Sequence, residues 1–312
     1  MRILLTAAFI GAMAVPAAAD YTIMAPAAPG GGWDQTARTM QAVLRDEGIA
    51  ESVQVVNVPG AGGTIGLAQF VNQARGNPEQ LIVGGYVMVG AIETNNSPVN
   101  LEMVTPIARL TGEQLAVVVP AASEIETMDD LVTRLRENPG AVAWAGGSAG
   151  GADHILAGLI AQAADVDPTL INYIAFSGGG EALAAILGGQ VTAGISGYSE
   201  FASQVEAGEL RVLALSGEEP VEGVDAPTLR DAGLDVALEN WRMVLAGPDL
   251  TEEQVAAITA DMEAMATSDS WQEALAARGW VDRFLTGEEL EQQLAEDIAA
   301  TQAILRDIGL VQ

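Results

Sequence analysis

Five short glycine-rich stretches hold the residues whose types and spacing could do chemistry. They are Pro29-Gly30-Gly31-Gly32-Trp33-Asp34, Pro59-Gly60-Ala61-Gly62-Gly63-Thr64-Ile65-Gly66, Gly146-Gly147-Ser148-Ala149-Gly150-Gly151-Ala152-Asp153-His154, Phe176-Ser177-Gly178-Gly179-Gly180 and Ser196-Gly197-Tyr198-Ser199-Glu200. Each lies between a short apolar run and a helical run, so each reads as a turn from strand into helix. Glycines leave main-chain amides uncovered. At a helix start those amides face outward at the positive end of the helix dipole, which suits an anion. Any one loop could equally be a tight turn with no ligand; recurrence is what favours binding.

A second chemistry is written into the third stretch. Gly146-Gly147-Ser148-Ala149-Gly150 matches the G-x-S-x-G nucleophile elbow, between a strand and a helix as that motif requires. A serine nucleophile needs a histidine base, and His154 is the only histidine in the chain. Six residues past Ser148, near the start of the same helix, it cannot easily fold back as the base. Ser148 reads better as a hydrogen-bond partner of a ligand. His154 is either a ligand contact or an ordinary helix-start residue. Asp34 is as suited to capping its helix as to touching ligand, and Trp33 to packing as to lining a site. Arg38, Arg109 and Arg242 are the basic residues near the proposed cleft, any one able to reach a second carboxylate.

Composition removes other chemistries. The 312 residues contain 42 Asp and Glu against 13 basic residues, every one of them Arg, for a net charge of −29. Such acidity argues against nucleic acid or anionic lipid as partner. Without Lys there is no Walker loop and no pyridoxal Schiff base; without Cys there is no thiol nucleophile or thiolate metal site. A single histidine excludes a multi-histidine metal centre. No cofactor and no metal is expected. The second loop superficially suggests a dinucleotide fingerprint, but Gly66 falls one place late for G-x-G-x-x-G and no acidic residue follows at the required distance.

The elements that must position these loops follow from hydropathy. Arg2, the apolar run Ile3–Val15 and Ala17-Ala18-Ala19 read as a signal peptide over 1–19. The remainder is long enough for two lobes. Strands are expected at 21–25, 53–58, 80–83, 107–110, 115–119, 141–145, 170–176, 191–195 and 210–216, alternating with helices, and the chain returns through a strand near 239–245. That rhythm predicts an α/β fold of mostly parallel sheets with a cleft between the lobes. The first lobe is expected to hold 20–120 and 241–312, and the second 121–240. Beyond the return strand everything reads as helix, with capping boxes at Thr251-x-x-Gln254 and Thr286-x-x-Glu289.

Taken together, the Pro-Gly-Gly-Gly-Trp-Asp loop, Asn57-x-Pro59-Gly60-Ala61-Gly62-Gly63-Thr64-x-Gly66, Gly147-Ser148-x-Gly150-Gly151-x-Asp153-His154, Phe176-Ser177-Gly178-Gly179-Gly180 and Ser196-Gly197-Tyr198-Ser199-Glu200-Phe201 resemble the solute-binding proteins of tripartite tricarboxylate transporters, the TctC or Bug family, in its tricarboxylate-type branch. The likeness covers essentially the whole mature chain. It implies a type II periplasmic binding protein fold that closes on ligand. It implies a carboxylate held by amides at Gly31, Gly32, Gly62 and Gly63, beside Trp33 and Asp34. The second lobe would select the rest of the ligand through Ser148, Gly150, His154, Phe176, Ser177, Gly178 and Tyr198. It also implies a periplasmic monomer that is not an enzyme. Such a monomer would bind a di- or tricarboxylate, with citrate-like acids first, and deliver it to large and small membrane subunits. A receptor feeding a membrane sensor kinase, or a hydrolase using Ser148, are the other readings.

Overall fold

The computed structural model describes residues 19–221 and 223–312. The expected signal peptide, except Ala19, lies outside the described residues. Two mixed sheets carry the fold.

The first sheet starts with β1 (Ala19–Ala25), which runs through the first glycine loop into α1 (Gly32–Asp46). That helix is amphipathic: Trp33, Ala37, Met40, Val43 and Leu44 are buried, at the spacing of one helical face. Next come β2 (Ala50–Asn57), α2 (Thr64–Gln73), β3 (Gln80–Gly85), α3 (Tyr86–Thr94) and β4 (Thr105–Gly112). The chain then crosses to the second sheet. It forms β5 (Leu115–Pro120), α4 (Met128–Glu137), β6 (Ala143–Gly146), α5 (Ala152–Ala163) and β7 (Asn172–Ala175). After these come α6 (Gly179–Leu187), β8 (Ala193–Gly197), α7 (Tyr198–Glu206) and β9 (Leu210–Leu215). It returns through β10 (Arg242–Ala246) and ends with α8 (Glu252–Ala266), α9 (Asp269–Arg278), β11 (Val281–Thr286) and α10 (Gly287–Asp307).

Strand order is β11-β4-β10-β3-β1-β2 in one sheet and β7-β6-β8-β5-β9 in the other. The strands that feed glycine loops pair in parallel, β1 with β2 and β3, and β6 with β7 and β8. Antiparallel pairing enters with β5, β10 and β11. Parallel strands point their carboxyl ends the same way, which is why the loops gather at one edge of each sheet.

The expected elements shift in four places. β5 is hydrogen-bonded to β8 and β9 in the second sheet, so the chain changes sheet at Gly112–Leu115, before that strand and not after Pro120. The two crossings pair there, Glu113 and Asn240 exchanging both main-chain hydrogen bonds (3.2 and 2.9 Å). The segment after β10 is not all helix: β11 adds to β4 as an edge strand. Thr286 precedes α10 without a side-chain cap bond, because Gly287 enters with φ +62° and turns the chain away from capping-box geometry. The other box forms as expected, Gln254 N–H donating to Thr251 Oγ1 at 3.2 Å. The tail also reaches the second lobe: buried Ile308 packs against Gly158 of α5, where an added Cβ would lie 2.9 Å from its Cδ1.

Candidate ligand cleft between the lobes

The loops after β1 and β2 face the loops after β6, β7 and β8 across a narrow cleft. A Cβ on Gly31 would lie 3.9 Å from Gly178 Cα, so the first and fourth loops touch from opposite lobes. Beside them Thr94 at the end of α3 donates to the Ala149 carbonyl at 3.4 Å. The lobes are closed. The cavity between them leaves about 60 Å³ for the centres of water-sized molecules.

Each lip is a helix start. Gln35 N–H makes the first bond of α1, to Gly31 O, which leaves the N–H groups of Gly32, Trp33 and Asp34 ahead of the helical ladder. Ala182 N–H does the same for α6 with Gly178 O, and Ile155 N–H for α5 with Gly151 O. Two of the glycines serve close approach. Gly63 has φ +88°, and a Cβ there would come 2.7 Å from the Trp33 ring. A Cβ on Gly32 would press into the guanidinium of Arg242, 2.9 Å from its Cζ.

Of the residues expected at the site, Gly31, Gly32, Trp33, Gly63, Ser148, Ser177 and Gly178 line the cleft. Six other candidates stand elsewhere. The Asp34 carboxylate is consumed inside its own lobe, accepting from Gly30 N–H (2.8 Å), Asn57 Nδ2 (2.9 Å) and Arg38 Nε (2.9 Å). Burial alone would raise its pKa, but these donors outweigh it and hold the carboxyl below the usual range. Gly62 sits under Ser148, where an added Cβ would lie 3.4 Å from the Ser148 Cβ. His154 Nδ1 accepts from Gly150 N–H at 3.1 Å while its ring stacks on Tyr173, centroids 4.1 Å apart. Burial pushes the imidazole down to about 4, so it is neutral and fixes the Gly150 loop. Its Nδ1 is therefore spent on that amide and cannot serve Ser148 as a base. Phe176 lines an adjoining recess with Ala61, Asn95 and Glu181. Tyr198 uses its N–H on Gln114 O and packs against the second core.

The floor of the cleft was not foreseen as a charged cluster. Arg242, from β10, is 1% exposed and donates from Nη2 to Glu113 Oε2 at the crossing. Trp280 lies under the same guanidinium, its ring centroid 5.1 Å away. Asp153, on the first turn of α5, accepts from Gly147 N–H at 2.6 Å. Glu200, on the first turn of α7, accepts from Ser196 Oγ at 2.9 Å through Oε1. Three side-chain atoms here are buried without a partner: Arg242 Nη1, Glu200 Oε2 and Asn240 Oδ1. Burial, reinforced by the Glu113 charge, pushes the carboxyl of Asp153 up to about 7 and that of Glu200 up to about 8, against the pull of Arg242. Of the three arginines considered, only Arg242 lines the cleft. Arg38 pairs with Asp34, and Arg109 stacks on Trp241 (4.2 Å) and pairs with Asp297.

Residues 36–310 match the family described as tripartite tricarboxylate transporter family receptor. Protein BugT of Bordetella pertussis is 26% identical over 308 residues, covering 95% of this chain and 93% of that protein. The structure of the periplasmic binding protein BugD superposes with a TM-score of 0.84 at 19% identity, covering 94% of this chain and 98% of that one. MatC from Rhodopseudomonas palustris with bound malate gives 0.78 at 21% identity, covering 92% and 98%. The BugD and MatC likenesses are likenesses of fold; the sequence match across most of the chain establishes membership. The chain belongs to the tripartite tricarboxylate transporter receptor family, whose members are non-enzymatic solute-binding receptors.

Proposed function

We propose that the protein is a periplasmic receptor that captures a small organic carboxylate in the interlobe cleft and delivers it to the large and small membrane subunits of a tripartite transporter. The observation that carries this is the buried guanidinium of Arg242, which lines a cavity rimmed by the helix starts of α1 and α6 and keeps one nitrogen, Nη1, without a partner. A buried donor without a partner costs roughly 1–3 kcal/mol, and a ligand oxygen removes that cost. Among fold relatives, MatC has bound malate and another R. palustris protein has bound adipate. The narrow cavity favours a short mono- or dicarboxylate over citrate, since Arg242 is the one cation among the described residues lining it and each further ligand charge would be buried without another to meet it. Among the described residues no helix is long and apolar enough to cross a membrane. Arg2 and the apolar run Ile3–Val15 supply the export signal of this reading.

A thermal-shift screen of short carboxylic acids tests the function, because a ligand that binds only the folded form raises the melting temperature by mass action. Malate, succinate or a close analogue is expected to stabilise the protein, and an Arg242→Gln protein to lose the shift. Stabilisation by no acid, or an equal shift in Arg242→Gln, would remove the proposal.

A further inference from the structure

Three carboxyl groups stand around one guanidinium on the floor of the cleft. Glu113 takes Arg242 Nη2 and also accepts Ser199 N–H at 2.8 Å. Asp153 is turned to the loop amide of Gly147. Glu200 is placed differently. Its Oε1 is held by Ser196, while Oε2 has neither a partner nor accessible area and points where a side chain on Gly179 would otherwise be. The groups facing it are Glu113 from the crossing, Arg242 from β10 and Asp153 from α5, with Tyr173 and neutral His154 behind Asp153. Arg242 and Glu200 line the same cavity, so a captured carboxylate that takes the guanidinium lies near a carboxyl whose free oxygen is an acceptor if ionised. Two acceptors cannot bond without a proton between them.

We propose that Glu200 meets the ligand as a carboxylic acid, donating from Oε2 to the bound carboxylate while Arg242 Nη1 donates to the same molecule, so that a proton is an obligate co-ligand. This rests on the carboxylate reading of the cleft and adds the form in which the site is competent. Burial beside Glu113 already holds the Glu200 proton up to about pH 8 in the free protein, and a second carboxylate at bonding distance holds it higher still. Protonation lowers the charge burden: Arg242 then stands between two carboxylates, Glu113 and the ligand, and the Glu200 charge is absent.

The test is calorimetric titration of malate and succinate into the whole protein from about pH 6.5 to about pH 9.5, each pH in two buffers of different ionisation enthalpy. Below the Glu200 transition near pH 8 the affinity should change only weakly, through Asp153, whose carboxyl is pushed up to about 7. Above it the affinity should fall about tenfold per pH unit, with close to one proton taken up per ligand. Glu200→Gln keeps a neutral side chain at every pH, so it should bind at neutral pH and lose the slope. Infrared difference spectra of the wild-type protein give a reading that needs no variant: a carboxylic-acid C=O stretch should persist in the loaded protein above pH 8. A flat wild-type profile, a slope that survives in Glu200→Gln, or binding that requires ionised Glu200 would overturn the proposal while leaving the carboxylate function standing. Binding of neither acid at any pH would overturn both.

Discussion

Gly32 and Arg242 come from strand-separated parts of the chain yet touch across the floor of the cleft. A methyl carbon on Gly32 would stand 2.9 Å from the guanidinium carbon. Gly32 is therefore the residue that lets the buried cation reach the helix start of α1. Gly32→Ala is expected to push Arg242 out of register and weaken carboxylate binding at least tenfold. Stability should fall as well, by up to about 3–5 kcal/mol, the cost of a disturbed buried pair, offset in part by the better helix propensity of alanine. Titration calorimetry and denaturant unfolding of the same variant check the two halves of that statement.

Arg242 and Glu113 are both 1% exposed. Breaking a buried pair from one side leaves a charge without a partner, which costs about 3–5 kcal/mol, whereas removing both sides is often close to neutral. Arg242→Met should therefore destabilise by about 3–5 kcal/mol. The double variant Glu113→Gln with Arg242→Met should recover much of that loss, with Gln still accepting from Ser199. Equilibrium unfolding in urea measures the cycle; strictly additive losses would show that the pair is not the unit.

Asp34 supplies a pH signature of opposite sign to the cleft acids. Its folded pKa is lowered, so the stability it contributes is present above the unfolded carboxyl value of 3.8 and is lost as pH falls through the lower folded value. Asp34→Asn should cost about 1–3 kcal/mol near neutral pH, as expected for hydrogen bonds to a charged group. The difference from wild type should close in acid. For Glu200 the folded value is raised to about 8 from 4.5, so the ionised form penalises folding increasingly between those two values. Glu200→Gln should therefore be more stable than wild type at alkaline pH and equal to it in acid. Melting temperatures across pH read both.

Gly90 lies inside α3 directly against the Gly150 carbonyl of the other lobe. Gly90→Ala gains helix propensity of about 1 kcal/mol, but its Cβ has no space while the lobes are closed. The expected result is an unchanged or raised melting temperature together with at least tenfold weaker binding and a larger radius of gyration in the presence of ligand. A loss of stability without loss of affinity would place the closed contact elsewhere.

His154→Gln separates loop positioning from ligand contact. Its ring stacks on Tyr173 and its Nδ1 serves the Gly150 amide. A modest loss of stability is expected, with a change in affinity of less than tenfold and the same pH profile. A complete loss of binding would return His154 to the cleft.

The lips of this cleft were legible in the sequence because their signal is local. Runs such as Pro29–Asp34 and Phe176–Gly180 declare a strand end, an uncovered amide and a helix start within six residues. The floor was not legible. Glu113 and Asn240 lie on two crossings more than a hundred residues apart, and they meet Glu200 and Arg242 only once both sheets have formed. Arg242 was recognisable as a basic residue near the hinge, but nothing in its neighbourhood separates it from Arg109, which the fold spends on Trp241 and Asp297. β11 escaped detection for a related reason. Val281–Thr286 is an edge strand with Asp282 and Arg283 exposed, so it lacks the apolar run of the inner strands. Asp34 and His154 have side chains able to bind a ligand, and each satisfies a backbone amide instead.

The measurement closest to the central claim is titration calorimetry of the mature protein with malate, succinate, adipate and citrate near neutral pH. The account predicts one ligand per protein, micromolar or tighter affinity for at least one short acid, and at least tenfold weaker binding in Arg242→Gln. Millimolar or absent binding of all four acids, or full affinity in Arg242→Gln, would contradict it.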